Sequence, residues 1–502
     1  MLQPLSRPFA MLAAGIVGAS LVVHAWHAIS TAAYVDFVTG VWLTLADDLV
    51  HGVFYRDLVG PDGYGGTRYF PLFFTAVAGL MRLGLGPLAA GFLVSAAAAV
   101  LLVAGLRRVV LRFGLPPALA AACAAFVFAP RFAQQGLLAI RSDMLAAALV
   151  VWGLDASLAA ADQEEPGTRT PAFAAACFTL AAATKVTSLY APVAVVLALA
   201  WARRPGAALR LGGLTAAGVA AMVAFVAAAS GGRAIESWRS VGFAGAGTAE
   251  WLTGMPAVVS TQVVGPSRVF TSVLLAAAAG WLTMVRARGP KMLVVLFPAA
   301  VGATAVVLAS PGTSYTNQLV DALAVSLLIV GWVLARYPRL RPAAAVVLVL
   351  LALAAARQSL QPVIAEDLRE RARSHAVERA ALVRELAAAP GPVLSESPDV
   401  LVLGGSRPYL LDPFMLRVLS VQRPELLVRL NGDLESRRFA RVVLMFDPER
   451  PAGRGWYTNM DFGWPVMSRI LANYEFAETR AGLRVYRPKT GVRTVAESKP
   501  LR

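Results

Sequence analysis

The sequence is poor in charged residues and almost free of cysteine. Only 15% of its 502 residues are charged, whereas 57% are hydrophobic, and the mean hydropathy is +0.62. Because soluble domains carry about 25% charged residues, this composition excludes a purely water-soluble chain and predicts an integral membrane protein. The two cysteines, Cys123 and Cys177, lie inside apolar runs, which excludes a disulfide framework and a cysteine-based zinc site.

The few charges are concentrated at one end of the chain. Residues 359–502 hold 39 of the 76 Asp, Glu, Lys and Arg residues, and residues 1–358 hold the other 37. This division predicts a polytopic membrane domain over 1–358 and a water-soluble domain over 359–502. The net charge is +16, but the arginines lie mostly at the ends of apolar runs. That placement favours contact with lipid headgroups and excludes nucleic acid as a partner.

Eleven apolar segments are long enough to cross a bilayer as helices. The first would span about 34 Å as a helix, which favours an uncleaved membrane helix over a secretory signal. The segments lie near residues 8–30, 87–106, 115–132, 143–160, 171–186, 187–202, 208–229, 267–285, 291–309, 318–335 and 342–358.

Basic residues between these segments predict the orientation of the chain. Arginines follow every even-numbered segment, as in the pairs Arg107 and Arg108 or Arg203 and Arg204. Short cytoplasmic loops collect Lys and Arg, so the N-terminus is expected in the cytoplasm and the C-terminal domain outside. The apolar run 71–84 would reverse this parity and spans only about 21 Å, so it is predicted to be an interfacial helix.

The first outward loop, residues 31–86, is unusually acidic. It holds five of the 13 acidic residues in the membrane domain. Within it, "VTGVWLTLADDLVHG" has apolar residues at helical spacing, which predicts an amphipathic helix whose acidic side faces water. Solvation alone is therefore the expected role of Asp47, Asp48 and Asp62.

Three other ionisable residues lie at the outward ends of membrane segments, namely Asp36, Asp143 and Lys185. Ionisation there is costly unless a partner or a function offsets the desolvation. Two simpler roles stay open, a helix N-cap for Asp143 and a snorkelling side chain for Lys185. With Arg141, the group offers a carboxylate that can deprotonate a hydroxyl and cations that can hold a phosphate.

Three segments in this part of the chain resemble a known pattern. The early Asp is followed by "GVFYRDLVGPDGYGGTRYFPLFF", then by "IRSDMLAAALVVWGL" and by "AAATKVTSLYAP". Their order and side are similar to those of the polytopic GT-C glycosyltransferases of the protein O-mannosyltransferase and lipid A aminoarabinose transferase type. The resemblance covers roughly residues 1–358. It implies an α-helical polytopic membrane fold and a polyprenyl-phosphate-linked sugar donor.

The resemblance also implies roles for single residues. It makes Asp36 the general base that activates the acceptor hydroxyl, and it places Lys185 near the donor phosphate. Many members carry Glu after this Asp, whereas this chain has Phe37, so a divalent metal stays open. The full set of expected substrate-binding residues is Lys185, Arg68, Arg141, Asp143, Tyr69, Arg56, Asp57 and Asn317.

The expected reaction is an inverting transfer of a sugar to a hydroxyl of a lipid, glycan or protein acceptor. It would occur at the outer face of a bacterial cytoplasmic membrane. A lipid-linked sugar flippase or transporter is the main alternative, and a membrane scaffold is another. Transporters usually place ionisable groups near mid-membrane, whereas here these groups lie at the outward ends, which favours sugar transfer.

The C-terminal region has the pattern of a small α/β domain. A long charged helix is predicted over residues 361–388. It is followed by the strand-like runs "PVLSES", "DVLVLG", "ARVVLMF" and "LRVYRP", separated by helical stretches. Its location predicts that this domain covers the outer site or helps to select the acceptor.

Overall fold

The computed structural model describes residues 6–61, 63–161, 169–241, 268–309 and 316–490. Within these residues, seven helices are apolar and at least 18 residues long, sufficient to cross a membrane. They are α1 (Ser6–Thr31), α4 (Pro87–Arg112), α7 (Asp143–Ala161), α10 (Pro205–Ala229), α12 (Arg268–Arg286), α13 (Lys291–Ala309) and α15 (Arg341–Ile364). The chain is a polytopic α-helical membrane protein, as the sequence predicts.

The other predicted membrane segments also coincide with helices, but these are shorter. The segments at 171–186 and 187–202 become α8 (Arg169–Thr184) and α9 (Tyr190–Trp201), and the segment at 318–335 becomes α14 (Val320–Arg336). Lys185 has an extended backbone and separates α8 from α9. The chain therefore breaks its helical run at the one lysine that the sequence places at the outward surface.

The predicted segment at 115–132 is not one straight helix. It consists of α5 (Pro117–Ala125), a short 3-10 turn and α6 (Arg131–Leu138), and the two parts meet at 70°. Pro130 has an extended backbone and lacks the N–H that a continuous helix needs at this position. The bend directs the chain after α6 towards the start of α7, where predicted site residues lie.

Two helices in the first outward loop, of 14 and 12 residues, are shorter than a usual membrane span. They are α2 (Phe37–Val50) and α3 (Pro71–Arg82), and α3 corresponds to the segment predicted to be interfacial. Between them lies a small hairpin of β1 (Val59–Gly60) and β2 (Gly63–Tyr64). A short helix, α11 (Arg233–Val241), follows α10 on the same side of the bundle, and its Ser237 exchanges hydrogen bonds with the backbone of Thr67.

The C-terminal domain is a small α/β unit, as predicted. Its four-stranded sheet has the order β3-β4-β6-β5, with β3 parallel to β4 and the other pairs antiparallel. The strands are β3 (Val393–Ser395), β4 (Arg441–Leu444), β5 (Tyr474–Arg480) and β6 (Leu483–Pro488). The helices are α16 (Glu366–Ala387), α17 (Asp399–Val402), α18 (Pro413–Gln422), α19 (Leu427–Glu435), α20 (Pro451–Asn459) and α21 (Trp464–Asn473).

One of the four predicted strands is wrong. "DVLVLG" forms the short helix α17, whose Asp399 and Val400 are fully buried. Pro398 has helical backbone angles and starts the turn, and a short apolar run does not by itself distinguish a strand from a buried helix. The strand β5, which the sequence pattern missed, is largely solvent-facing and pairs with β6 at the sheet edge.

The first outward loop and the C-terminal domain are joined by hydrogen bonds. The backbone of Tyr64 donates to Tyr409 O at 2.8 Å and accepts from Leu411 N at 2.9 Å, which adds a parallel bridge between the two parts. The Tyr64 hydroxyl donates to Leu426 O at 2.6 Å, and Arg429 donates to Pro61 O at 2.6 Å. The loop is therefore held in place by the domain at the other end of the sequence.

The predicted exposure of the acidic side of α2 is wrong for Asp48, which is 3% exposed. Its carboxylate accepts from Arg56 at 2.6 and 2.8 Å and from Arg407 at 3.1 Å. Arg56 also donates to Pro408 O at 2.6 Å. The polar face of α2 therefore packs on the C-terminal domain instead of facing water, because that domain supplies cations and carbonyl groups to it.

Candidate active site

Asp36 lies just before the first residue of α2 and caps that helix. Its Oδ1 accepts a hydrogen bond from Thr39 N at 2.9 Å, as expected for an N-cap carboxylate. Its Oδ2 accepts from Arg141 Nη2 at 2.5 Å. The side chain of Asp36 is 30% exposed, whereas that of Arg141 is only 8% exposed. The carboxylate is therefore oriented by two charge-assisted hydrogen bonds and still has an accessible face.

The turn that carries Arg141 is fixed to the same place by a second contact. Thr39 Oγ1 donates to Ala139 O at 2.5 Å, so α2 is hydrogen-bonded to the turn on both sides of Ile140. Ile140 has a φ of +50°, a conformation that is unfavourable for a β-branched residue and that clusters at functional sites. This turn sets the direction in which Arg141 leaves the backbone.

A second ion cluster joins three helices at the same end of the bundle. Lys185 Nζ lies 2.8 Å from Asp143 Oδ1 and 3.3 Å from Asp321 Oδ2. Tyr190 donates from its hydroxyl to Asp321 Oδ1 at 3.2 Å. The carboxylates are 5% and 6% exposed and the lysine 13%. The sequence places Asp321 four residues after Asn317 on one face of the helix, which leaves open a helix cap or a hydrogen bond to a sugar, and the structure pairs Asp321 with Lys185.

Two packed aromatic rings, Tyr69 and Trp42, lie near Asp36 on the side of the first outward loop. The Tyr69 ring packs on Trp42 with the two ring centroids 4.2 Å apart. Burial raises the pKa of the Tyr69 phenol, and the nearby charges of Asp412 and Asp36 raise it further while those of Arg68 and Arg141 oppose them. Tyr69 is thus within electrostatic reach of both carboxylates and both guanidinium groups, as a neutral hydrogen-bonding group.

Arg68 differs from the other cations of this region. Its guanidinium lies 5.2 Å from the centroid of the Phe414 ring, a cation–π distance. In the part of the chain that the structure describes, no carboxylate forms an ion pair with it, whereas Arg141 is paired with Asp36 and Lys185 with two aspartates. Arg68 is therefore the cation of this group with charge to offer an anionic ligand.

The C-terminal domain adds two buried carboxyl groups that sequence reasoning missed. Asp412 Oδ1 accepts from Met415 N at 3.2 Å at the start of α18, and burial raises the pKa of Asp412 to about 6 against the opposing charge of Arg68. Asp399 accepts hydrogen bonds from Arg379 and Ser397. Burial raises the pKa of Asp399, and the charge of Asp36 adds to the effect.

Two predicted substrate-binding residues lie apart from these clusters. Arg56 makes its hydrogen bonds to Asp48 and Pro408, so its guanidinium joins the loop to the C-terminal domain. Asp57 is exposed and contributes its backbone carbonyl to the β1–β2 region, where it accepts from Gly65 N at 3.0 Å. The predicted contribution of the Asn317 side chain lies outside the described residues.

The residues in place do not match a metal centre. Across the described ranges, no three His, Cys, Asp or Glu side chains converge in a way that could hold a metal ion. Asp143 and Asp321 are buried carboxylates from different helices, and the ammonium of Lys185 bridges them.

No protein-family model and no curated protein matches the sequence. Solved structures with the same fold do exist. ArnT from Cupriavidus metallidurans bound to undecaprenyl phosphate superposes with a TM-score of 0.59 at 12% identity, covering 94% of this chain and 97% of that one. The Archaeoglobus fulgidus oligosaccharyltransferase in complex with Zn and sulfate gives 0.55 at 13% identity, covering 93% and 73%.

A further structure is that of the archaeal oligosaccharyltransferase AglB from Archaeoglobus fulgidus with an inhibitory peptide and a dolichol-phosphate. It superposes with a TM-score of 0.56 at 13% identity, covering 94% of this chain and 74% of that one. At such low identity these likenesses establish the fold alone. They confirm that the chain shares the polytopic helical fold of these membrane proteins.

Proposed function

From this GT-C fold and the residues gathered at one end of its bundle, we propose that the protein is a membrane glycosyltransferase. It moves a sugar from a polyprenyl-phosphate-linked donor to a hydroxyl of a lipid, glycan or protein acceptor. The observation that carries the proposal is the oriented and accessible carboxylate of Asp36 near Tyr69, whose phenol also feels the charge of Arg68, a cation that forms no ion pair among the described residues. The fold supports it, since ArnT was solved with undecaprenyl phosphate and AglB with dolichol-phosphate.

In the proposed reaction, Asp36 acts as the general base. The acceptor oxygen forms a bond to the anomeric carbon while its proton passes to the Asp36 carboxylate. The bond between the anomeric carbon and the phosphate oxygen breaks, and the electron pair leaves with the lipid phosphate. A single displacement of this kind inverts the anomeric centre. Arg141 and Thr39 N keep the Asp36 carboxylate oriented towards the acceptor before the reaction.

We place the departing phosphate on Arg68 in preference to Lys185. A guanidinium can donate two parallel hydrogen bonds to phosphate oxygens and stabilise the charge that develops there. Arg68 faces no competing carboxylate within ion-pair distance among the described residues, whereas the Lys185 ammonium is engaged by Asp143 and Asp321. Tyr69, next to Arg68, offers a neutral hydroxyl to the same ligand.

The arginine pattern and the site together give the expected location. The residues of the two ion clusters lie just after the ends of α1 and α8 and at the beginnings of α7 and α14. These helix ends are at one end of the bundle. The positive-inside rule assigns the opposite end to the cytoplasm. The site and the C-terminal domain then face the outside of a bacterial cytoplasmic membrane, and the domain lies where it would meet the acceptor.

The experiment is transfer by the purified protein in liposomes, with undecaprenyl-phosphate sugars radiolabelled in the sugar and with cell-envelope fractions as acceptors. The proposal expects label in the acceptor and an equal amount of released undecaprenyl phosphate. Asp36→Asn should abolish both, while Asp47→Asn, a partly exposed acid of the same loop, should not. Movement of intact labelled donor across the bilayer without release of undecaprenyl phosphate would instead identify a flippase.

A further inference from the structure

The Lys185 cluster buries three charged side chains together. A lysine ammonium is buried between two carboxylates from different helices, Asp143 at the start of α7 and Asp321 in the first turn of α14. The helical run also breaks at Lys185, so that its side chain starts from the level of the two carboxylates. Burying three charges is expensive unless the geometry is good, and an apolar core would have stabilised the bundle at less cost.

The ammonium occupies the space that a divalent cation would need. Its nitrogen is 2.8 Å from one carboxylate oxygen and 3.3 Å from the other. A cation such as Mg²⁺ or Ca²⁺ binds carboxylate oxygens at about 2.0–2.6 Å, so the same two oxygens would need to approach only slightly to hold one. The lysine already supplies positive charge at this point, and a metal would have to displace it.

We propose that the Lys185 ammonium is a built-in cation of this site, which takes the position between Asp143 and Asp321 and excludes a divalent metal from it. The Zn named for the Archaeoglobus fulgidus oligosaccharyltransferase structure then has no equivalent between these two carboxylates. Which cation lies between the two carboxylates does not depend on the proposed function. Only the relevance of that cation to sugar transfer rests on the proposed function.

The consequence is that removal of the ammonium should create a metal site. In Lys185→Ala, two buried carboxylates face each other without a cation, and binding of a divalent ion would relieve their repulsion. The added space is small and polar, and water can complete the coordination sphere. The double variant K185A/D143N keeps the same cavity but has only one carboxylate, so it should not bind the ion.

The experiment is Mn²⁺ uptake by the purified full-length protein in detergent, measured by electron paramagnetic resonance, together with thermal unfolding in Mn²⁺ and in EDTA. The wild type is expected to bind no Mn²⁺ at this position, so Asp143→Asn should leave its Mn²⁺ uptake unchanged. Its unfolding temperature should be the same in Mn²⁺ and in EDTA. K185A is expected to bind about one Mn²⁺ per chain and to unfold at a higher temperature when Mn²⁺ is present. K185A/D143N should show neither effect.

Two results would overturn the inference. One is stoichiometric Mn²⁺ uptake by the wild type that Asp143→Asn removes, and the other is a folded K185A that takes up no Mn²⁺. Should K185A fail to accumulate, production with Mn²⁺ in the medium is expected to restore folded protein, and failure of that rescue counts against the inference as well. A protein with the expected cation behaviour but no sugar transfer would contradict the proposed function alone.

Discussion

The guanidinium of Arg141 lies 2.5 Å from Oδ2 of Asp36, and this pair joins two loops whose residues are 105 positions apart in sequence. The carboxylate is the more exposed partner and the guanidinium the more buried one. A cation that is fixed by its surroundings therefore holds the accessible carboxylate in one orientation. Since α2 begins at this carboxylate, the direction of α2 and its contacts with the C-terminal domain also depend on the pair.

Asp48→Ala is expected to loosen the first outward loop from the C-terminal domain. It would leave Arg56 buried without its carboxylate, and loss of one member of a buried ion pair costs about 3–5 kcal/mol. The unfolding temperature should fall, and amide hydrogen exchange in residues 55–69 should accelerate. Asp47→Ala, at the more exposed neighbouring position, serves as the control. Equal stability of the two variants would mean that the buried pair does not hold the loop.

Gly40→Ala should destabilise the same interface for steric reasons. A Cβ atom at Gly40 would overlap the backbone N and Cα of Asp399, and backbone cannot move aside as a flexible side chain can. Overpacking of this kind typically costs about 1–3 kcal/mol. Gly79→Ala is the matched control, because nothing lies within 4 Å of its added Cβ and alanine favours the helix. Thermal unfolding of both variants tests the close approach of α2 to α17, which would be refuted by equal unfolding temperatures.

Asp412 should make stability depend on pH in a definite direction. Burial raises its pKa from 3.8 to about 6, so the folded state favours the protonated form. The stabilisation is complete below the unfolded pKa and is lost as the pH rises through about 6, by up to about 3 kcal/mol. The charged and titratable groups that face it are Arg68, Tyr69 and Asp461.

Asp412→Asn retains an N-cap oxygen for α18 and removes the titration. The variant should therefore gain stability relative to the wild type between pH 5 and pH 7.5. Thermal unfolding at the two pH values measures this difference. If the difference in unfolding temperature between the two proteins is the same at both pH values, Asp412 does not titrate in this range.

Arg68→Ala should weaken binding of the donor more than binding of the acceptor. Loss of a charge-assisted hydrogen bond to a phosphate removes about 1.5–3 kcal/mol, which corresponds to a rise in donor KM of about 10-fold to 100-fold. Arg68→Lys should recover part of this loss, since it restores the charge without the two-pronged geometry. Arg371→Ala, at an exposed position of α16, is the control. An unchanged donor KM in Arg68→Ala would show that the phosphate binds elsewhere.

Local patterns predicted the helices and much of the site. Apolar runs located the membrane helices, and the unusual position of Asp36, Asp143 and Lys185 at their ends marked residues that do form ion pairs in the structure. Pro130 was visible in the sequence, but its effect was missed because the run continues on both sides. The hydrophobicity of a run does not reveal a single proline within it that ends a helix.

Other features depend on contacts that no local pattern encodes. Asp48 was predicted to face solvent because it lies on the polar side of α2. It is buried because the C-terminal domain packs there and supplies Arg407, which is 359 residues later in the chain. Asp321 meets Lys185 across 136 residues. Asp399 and Asp412 approach the site only because the C-terminal domain folds back on the first outward loop. These relationships arise from the tertiary fold and not from the periodicity of any one helix.

The most direct test of the account is the turnover of Asp36→Asn. Asparagine keeps one side-chain oxygen, which can accept from Thr39 N, but it turns an NH2 group towards Arg141 and cannot take the acceptor proton as a carboxylate does. With undecaprenyl-phosphate sugar as donor, kcat should fall by about 100-fold to 10,000-fold, while donor binding stays close to that of the wild type and of Asp47→Asn. The unfolding temperature should fall because Arg141 loses its carboxylate partner, but the variant should remain folded at the assay temperature. Sugar transfer by folded Asp36→Asn at the wild-type rate would contradict the assignment of Asp36 as the catalytic base.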